Sequence, residues 1–201
     1  MKSPDPPHPY VSRGGLKLAH ALESFGIDPR GLCCADLGCS TGGFTDCLLQ
    51  RGAARVTAID TSYGAFAWRL RNDPRVRLLE RTNALHVAPL TGEAPLDLVV
   101  IDLGWTPQRL AIPAARRWVR GPTGRIVTLI KPHYELTPDE KATLLHRGVL
   151  EDADAERIVR RVLDAMPGIG ARALEITPSP IRGSPDRSRG NLEWLALLEP
   201  S

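Results

Sequence analysis

ADLGCSTGGFTDCLL, residues 35–49, closes a short apolar run with a glycine-rich turn and opens a pattern of helical period. A strand entering a helix through such a turn is the first half of a βαβ unit. Glycines there let the backbone approach a ligand closely. Working outward, the apolar spacing predicts strands over 32–37, 55–60, 76–80, 96–103 and 125–131. Helical spacing covers 12–25, 41–51, 64–71, 107–119, 137–147 and 152–166, with Ser12 placed to cap the first helix. Two late strands follow at 172–177 and 191–198. Alternation of this kind predicts an α/β fold, a mostly parallel seven-stranded sheet with helices on both faces. The late pair, joined by a short connection, would place an antiparallel strand near one edge. The proline-rich residues 1–10 are expected to be irregular and residues 11–201 to form one domain, since no repeat or linker divides them.

The bulk composition sets broad limits. With 201 residues, 42% of them apolar and 24% charged, the chain can bury a proper core. Its net charge of +3 permits an anionic partner without requiring one. Lysine occurs only at 2, 17, 131 and 141, the other basic residues being arginine. A position that needs an amine able to lose its proton cannot use arginine. Cys33, Cys34, Cys39 and Cys47 form no CxxC pair, so neither a zinc site nor a disulfide framework is indicated. The N-terminus, MKSPDPPHPY, has no apolar h-region, and no run has the roughly 18 apolar residues of a membrane span. Reduced thiols and a cytoplasmic setting, with no membrane partner, are the expectation. His8, His20, His86, His133 and His146 lack metal-ligand spacing, so no metal is expected.

The turn itself reads Asp36-x-Gly38-x-Ser40-x-Gly42-Gly43. It resembles a dinucleotide fingerprint, but Ser40 stands where a second glycine would admit a pyrophosphate. Asp60, at the end of the second strand, can accept hydrogen bonds from both hydroxyls of a ribose. A ribose without a pyrophosphate points to S-adenosylmethionine, its amino acid tail lying at the glycine turn. Four further residues could carry chemistry: Lys17 in RGGLKL, Asp102 in VVIDLG, Lys131 in TLIKPHYE and Glu193 in GNLEWL. Asp102 and Lys131 close adjacent strands on the side where open parallel sheets bind their ligands.

The segments YVSRGGLKL, ADLGCSTGGFTDCLLQRGA, AID, YGAFAWRLRNDPRVRLLERTN, IKPHYE, SPIRG and GNLEW together resemble the TlyA family over nearly the whole chain, from residue 10 to 198. These are FtsJ-like 2′-O-ribose methyltransferases acting on ribosomal RNA. The resemblance implies a Rossmann-like, S-adenosylmethionine-dependent fold and a Lys-Asp-Lys-Glu tetrad, with Lys17, Asp102, Lys131 and Glu193 in its places. It implies cofactor contacts from the backbone of Gly38, Ser40, Gly42, Gly43 and Phe44, ribose binding by Asp60, adenine binding near Asn83, and Asp102 nearest the methyl group. A ribose hydroxyl must lose its proton as it attacks, which calls for a positioned base. Lys131 is assigned that role. A second cation, Lys17, and partial burial are expected to lower its pKa, Asp102 and Glu193 opposing part of the shift.

The chain also departs from the family pattern. Only nine residues precede Tyr10, where relatives carry a small S4 RNA-binding domain. LGWTPQ follows Asp102 where a Ser-Phe pair is usual. His133 and Tyr134 stand in place of Gln and Phe, and RGVLED replaces a more basic segment. All could line the target pocket. Phosphate contacts are expected from Arg13, Arg182, Arg187 and Arg189, and from Arg116, Arg117 and Arg120. Trp105 or Tyr134 could stack on a flipped base. The leading expectation is methylation of rRNA or ribosomal subunits. The alternatives are another RNA, a small hydroxylated metabolite, or a non-catalytic RNA-binding assembly factor that holds the cofactor.

Overall fold

Five apolar runs form parallel strands β1 (Cys33–Leu37), β2 (Arg55–Ile59), β3 (Val76–Leu79), β4 (Leu98–Ile101) and β5 (Arg125–Ile130) in a computed structural model that describes residues 8–89, 94–183 and 190–201. β8 (Ala171–Pro178) and β9 (Trp194–Pro200) complete a seven-stranded sheet in the order β3-β2-β1-β4-β5-β9-β8. β9 enters between β5 and β8 and runs antiparallel to both. The central strands β4 and β5 are apolar almost throughout because both their faces are covered. Alternate residues serve opposite faces. Val99 and Ile101 join one core with Ile112 and Ile158, whereas Leu98 and Val100 join the other with Leu18, Leu22 and Leu48. Helices α1 (Gly14–Ser24) and α2 (Gly43–Gln50) cover the second core. α4 (Gln108–Arg116) and α6 (Asp152–Ala165) cover the first.

The elements agree with the sequence expectation to within a few residues, with three differences. Arg13, not Ser12, is the N-cap of α1, and no side chain caps it. The helix expected over 64–71 shrinks to α3 (Trp68–Arg71), because Gly64 at φ 73° and Ala67 at ψ 133° both lie outside helical geometry. The helix expected over 137–147 stops as α5 (Pro138–Leu144), started by a capping box between Thr137 and Glu140. A hairpin then follows, β6 (Leu145–His146) with β7 (Val149–Leu150). Its two turn residues, Arg147 and Gly148, both have positive φ, the geometry that matches hairpin twist.

Candidate active site

Sheet register explains why distant residues meet. Leu37 pairs with Ile59 and Ile101, and Ile101 pairs with Thr128. Gly38, Asp60, Asp102 and Lys131 therefore leave the sheet at one end. Because β9 is antiparallel, its first residue pairs with Ile130, the last of β5. Glu193 thus arrives at the same end from the opposite direction. Gly38 is at φ 90°, and a Cβ there would lie 2.5 Å from the Asp102 carbonyl oxygen, so the crossing of the two chains requires glycine.

The turn after β1 is held by its own amides. Gly38 and Cys39 donate to the Ile59 carbonyl at 2.9 and 3.1 Å, Gly42 donates to Cys39, and Ser40 donates to Asp60 Oδ2 at 2.8 Å. The amides of 38, 40 and 42, expected to face a ligand, are thus spent within the protein. Those of Gly43 and Phe44, the first of α2, have no acceptor among the described residues. They border a cavity of about 300 Å³ together with Ser12, Arg13 and Lys17. Free first-turn amides favour an anion such as a carboxylate.

Beside it lies a larger cleft of about 560 Å³, whose walls include Ser40, Asp60, Asn83, Asp102, Trp105 and Lys131. Asp60 receives Ser62 N on its second oxygen at 2.7 Å, so two amides aim the carboxylate while each oxygen keeps a lone pair. Asn83 Oδ1 accepts from Leu85 N at 2.9 Å, leaving its NH₂ as a donor at the cleft. Ser40 and Trp105 both have positive φ, 47° and 52°, and strained non-glycine backbone of this kind clusters at ligand sites. An acid for a diol, an amide for a ring edge and two free amides for a carboxylate fit S-adenosylmethionine. Asp36 was part of the quoted motif but was given no role. It is wholly buried, and its Oδ2 takes both the amide and the hydroxyl of Thr45 at 3.0 and 2.7 Å, tying α2 to β1. Burial pushes its carboxyl up to about 7, against the Thr45 hydrogen bonds.

The four predicted residues form two ion pairs, with Asp102 and Lys131 in the wall of the cleft and Lys17 in the wall of the smaller cavity. Lys17 Nζ bonds Glu193 Oε2, and Lys131 Nζ lies 2.5 Å from Asp102 Oδ1 with a weaker bond to Leu103 O at 3.4 Å. Glu193 is only 3% exposed. A Cβ on Gly183 would collide with Glu193 Oε1, so any larger residue there would force the Glu193 carboxylate to shift. Burial raises the Glu193 pKa, opposed by both lysines. The expected lowering of Lys131 is corrected. Burial is the largest single influence and acts downward, but Asp102, Glu193 and Tyr134 outweigh it, and the net shift is upward. Lys17 does not act as an unpaired cation, because Glu193 neutralises it.

The arginines divide. Arg13 borders the smaller cavity. Arg182 also borders it, but its guanidinium makes a bidentate pair with Asp152 at 2.9 and 2.7 Å and bonds Gly190 O, so the protein itself employs it. Arg187 and Arg189 lie outside the described residues. Arg116, Arg117 and Arg120 are corrected. Arg116 bonds Ser201 O and Arg120 pairs with Asp97 at the opposite end of the sheet, while Arg117 holds the carbonyls of Leu85 and Val87. Among the described residues no group of His, Cys, Asp or Glu could hold a metal, and no helix is long and apolar enough to cross a membrane.

Fold and site define a Rossmann-like, S-adenosylmethionine-dependent methyltransferase. The chain belongs to the FtsJ-like methyltransferase family, whose model matches residues 10–183. It is 41% identical to the 16S/23S rRNA (cytidine-2'-O)-methyltransferase TlyA of Mycobacterium tuberculosis over 94% of this chain and 68% of the relative. The 23S rRNA (cytidine-2'-O)-methyltransferase TlyA of Campylobacter jejuni is 29% identical over 92% and 69%. A solved structure from Streptococcus thermophilus that carries a hemolysin label superposes with a TM-score of 0.88 at 32% identity, covering 98% of this chain and 70% of that one.

Proposed function

We propose that this protein methylates the 2′-hydroxyl of a cytidine in ribosomal RNA, with residues 11–201 acting as one catalytic domain. The observation that carries the reading is the pairing of Lys131 with Asp102 in the wall of the cofactor cleft and of Lys17 with Glu193 beside it, Lys17 bordering the smaller cavity. The relatives named above supply the nucleotide and the RNA. Asp60 would hold the cofactor ribose and Asn83 the adenine edge, with the amides of Gly43 and Phe44 on the carboxylate, and Gly38, Ser40 and Gly42 shaping the turn beneath. S-adenosylmethionine supplies an electrophilic methyl group on a sulfonium cation.

Lys131 is the base. Once its ammonium proton has passed to solvent, its amine would take the proton of the 2′-hydroxyl as that oxygen accepts the methyl group the cofactor supplies. Asp102 borders the cofactor cleft and also holds Lys131. A cation in the cleft therefore shares the Asp102 carboxylate and relaxes its hold on the Lys131 proton. Lys17 and Glu193 orient the hydroxyl and balance charge, and Arg13 meets a phosphate. Arg182 acts through Asp152 to hold the loop that reaches Glu193.

Tritium transfer from labelled S-adenosylmethionine to 30S and 50S subunits, naked rRNA and bulk tRNA tests the proposal, with Lys131→Ala beside the wild type. Label at one alkali-resistant ribose of rRNA, lost in the variant, is the expected result. Label in tRNA alone, or in no RNA while calorimetry registers cofactor binding, would overturn the rRNA assignment.

A further inference from the structure

A third cavity, of about 670 Å³, lies next to the cofactor cleft. Trp105, His133, Tyr134, Lys141, Arg147 and Asn191 line it. Trp105 borders both this cavity and the cofactor cleft, and the Lys131 ammonium stands 5.9 Å from the Tyr134 ring centroid. The cavity thus begins where the base does. Its aromatic wall is continuous, with Trp105 and Tyr134 centroids 5.9 Å apart and His133 and Tyr134 4.1 Å apart. Trp105 is nonetheless 84% exposed, so protein packing uses little of its indole face. Lys141 and Arg147 add positive charge at the rim, as a flanking phosphate requires. The amide of Asn191 fixes the wall that carries Arg147. It accepts from Leu150 N at 2.8 Å and donates to Gly148 O at 2.9 Å, gripping the β6–β7 hairpin two residues before Glu193.

His133 is the anomaly in this wall. Its Nδ1 is buried and has no hydrogen-bond partner among the described residues. A buried N–H without a partner is rarer than a buried acceptor without one, so the ring proton belongs on Nε2. Burial, then the ammonium groups of Lys131, Lys17 and Lys141, lowers its pKa to about 4, which keeps the ring neutral near pH 7. His133 then offers one donor and no positive charge to whatever fills the cavity.

We propose that this cavity receives the base of the nucleotide being methylated, and that His133 is its specificity-determining residue, donating from Nε2 to N3 of cytosine. The inference rests on the proposed RNA methylation. Cytosine N3 is an acceptor, whereas N3 of uracil carries a hydrogen, so uracil would set two donors face to face. Discrimination by a mispaired buried donor exceeds what shape alone provides.

The test uses the ribosomal subunit that accepts label from the wild type, reconstituted with cytidine or uridine at the labelled position. The wild type is expected to favour cytidine in kcat/KM by about 10-fold or more. His133→Phe, which removes the unpaired buried nitrogen and should fold at least as stably, is expected to bring that ratio close to one. His133→Gln, which restores the residue usual in the family and whose amide can still donate to cytosine N3, is expected to keep both cytidine turnover and the cytidine preference. A wild type blind to the two bases, or a His133→Phe variant that keeps the full cytidine preference, would overturn the inference while leaving RNA methylation standing. A wild type that labels no RNA would overturn both.

Discussion

The two sides of the Lys17–Glu193 and Lys131–Asp102 pairs are built by different means. On the cofactor side, the walls are strand ends and the turns leaving them: Gly38 after β1, Asp60 after β2, Asn83 after β3 and Asp102 after β4. Backbone amides aim the Asp60 carboxylate, and a glycine lets the chain after β1 pass close to the end of β4. On the target side the walls are side chains from short elements and turns: Trp105 after β4, His133 and Tyr134 in a turn of 3-10 helix after β5, Lys141 on α5, the β6–β7 hairpin, and Asn191. Of the places where the chain departs from the family segments, His133-Tyr134 and RGVLED fall on the target side, whereas residues 103–106 of LGWTPQ line the cofactor cleft, Trp105 bordering both. A rigid sheet edge suits a ligand that never changes, while turns and loops can be altered without disturbing the core.

If the sides are separable, variants should divide cleanly between them. The largest effect is expected at the boundary. Lys131→Ala should lower kcat by about 10²- to 10⁴-fold, while calorimetry finds cofactor affinity within a few-fold of wild type. Lys131→Arg should not rescue, because arginine keeps its proton. An equal loss of cofactor binding would break the division. Next, Gly183→Ala forces the Glu193 carboxylate aside. Its kcat should fall by about 10²-fold, as misplacement of a catalytic group by an ångström costs, again with cofactor affinity preserved. Asp60→Ala should do the reverse. It raises the KM for S-adenosylmethionine by about 10-fold through the loss of charged hydrogen bonds, with RNA affinity in a filter-binding assay unchanged.

The same division governs what could be read from sequence. The strands and the residues closing them were legible, because each apolar run has its length and each glycine or acid directly follows it. Asp60 and Asp102 needed only that periodicity. Lys17 and Glu193 stood out as residue types able to carry chemistry, but only the family resemblance implied that they belong together, since their meeting depends on β9 running antiparallel beside β5, which no local pattern states. The hairpin at 145–150 was hidden behind a helical pattern. Its signal, Arg147-Gly148 between short apolar pairs, looks the same as a helix end until both residues are seen at positive φ. The upward shift of Lys131 was also out of reach, because its sign depends on how closely two acids approach a buried amine. Asp36 was invisible as an anchor, because only the fold shows that its partner Thr45 turns back onto it.

The smallest expected effect concerns stability and compares one buried acid from each side. Asp36 lies under the cofactor turn. Glu135 lies behind the target wall, accepting from Gln108 N at 2.8 Å. Burial raises both carboxyls to about 7, from ordinary values of 3.8 and 4.5. Between those limits the folded protein holds more protons than the unfolded chain. Stability from these groups is therefore full below about pH 4, declines as pH rises towards 7, and levels off above it. Each contributes a slope of at most about 1.4 kcal/mol per pH unit. Asp36→Asn keeps an acceptor for Thr45 and removes one titrating group, and Glu135→Gln does the same for Gln108. Each should remove its own share of the decline when unfolding midpoints are measured in urea from pH 4 to pH 8. The two losses should add in the double variant, because the groups belong to separate walls with no shared partner. A slope left intact by Asp36→Asn would show that the carboxylate under the glycine turn stays ionised. A double variant far from the sum would show that the two sides are coupled through the sheet between them.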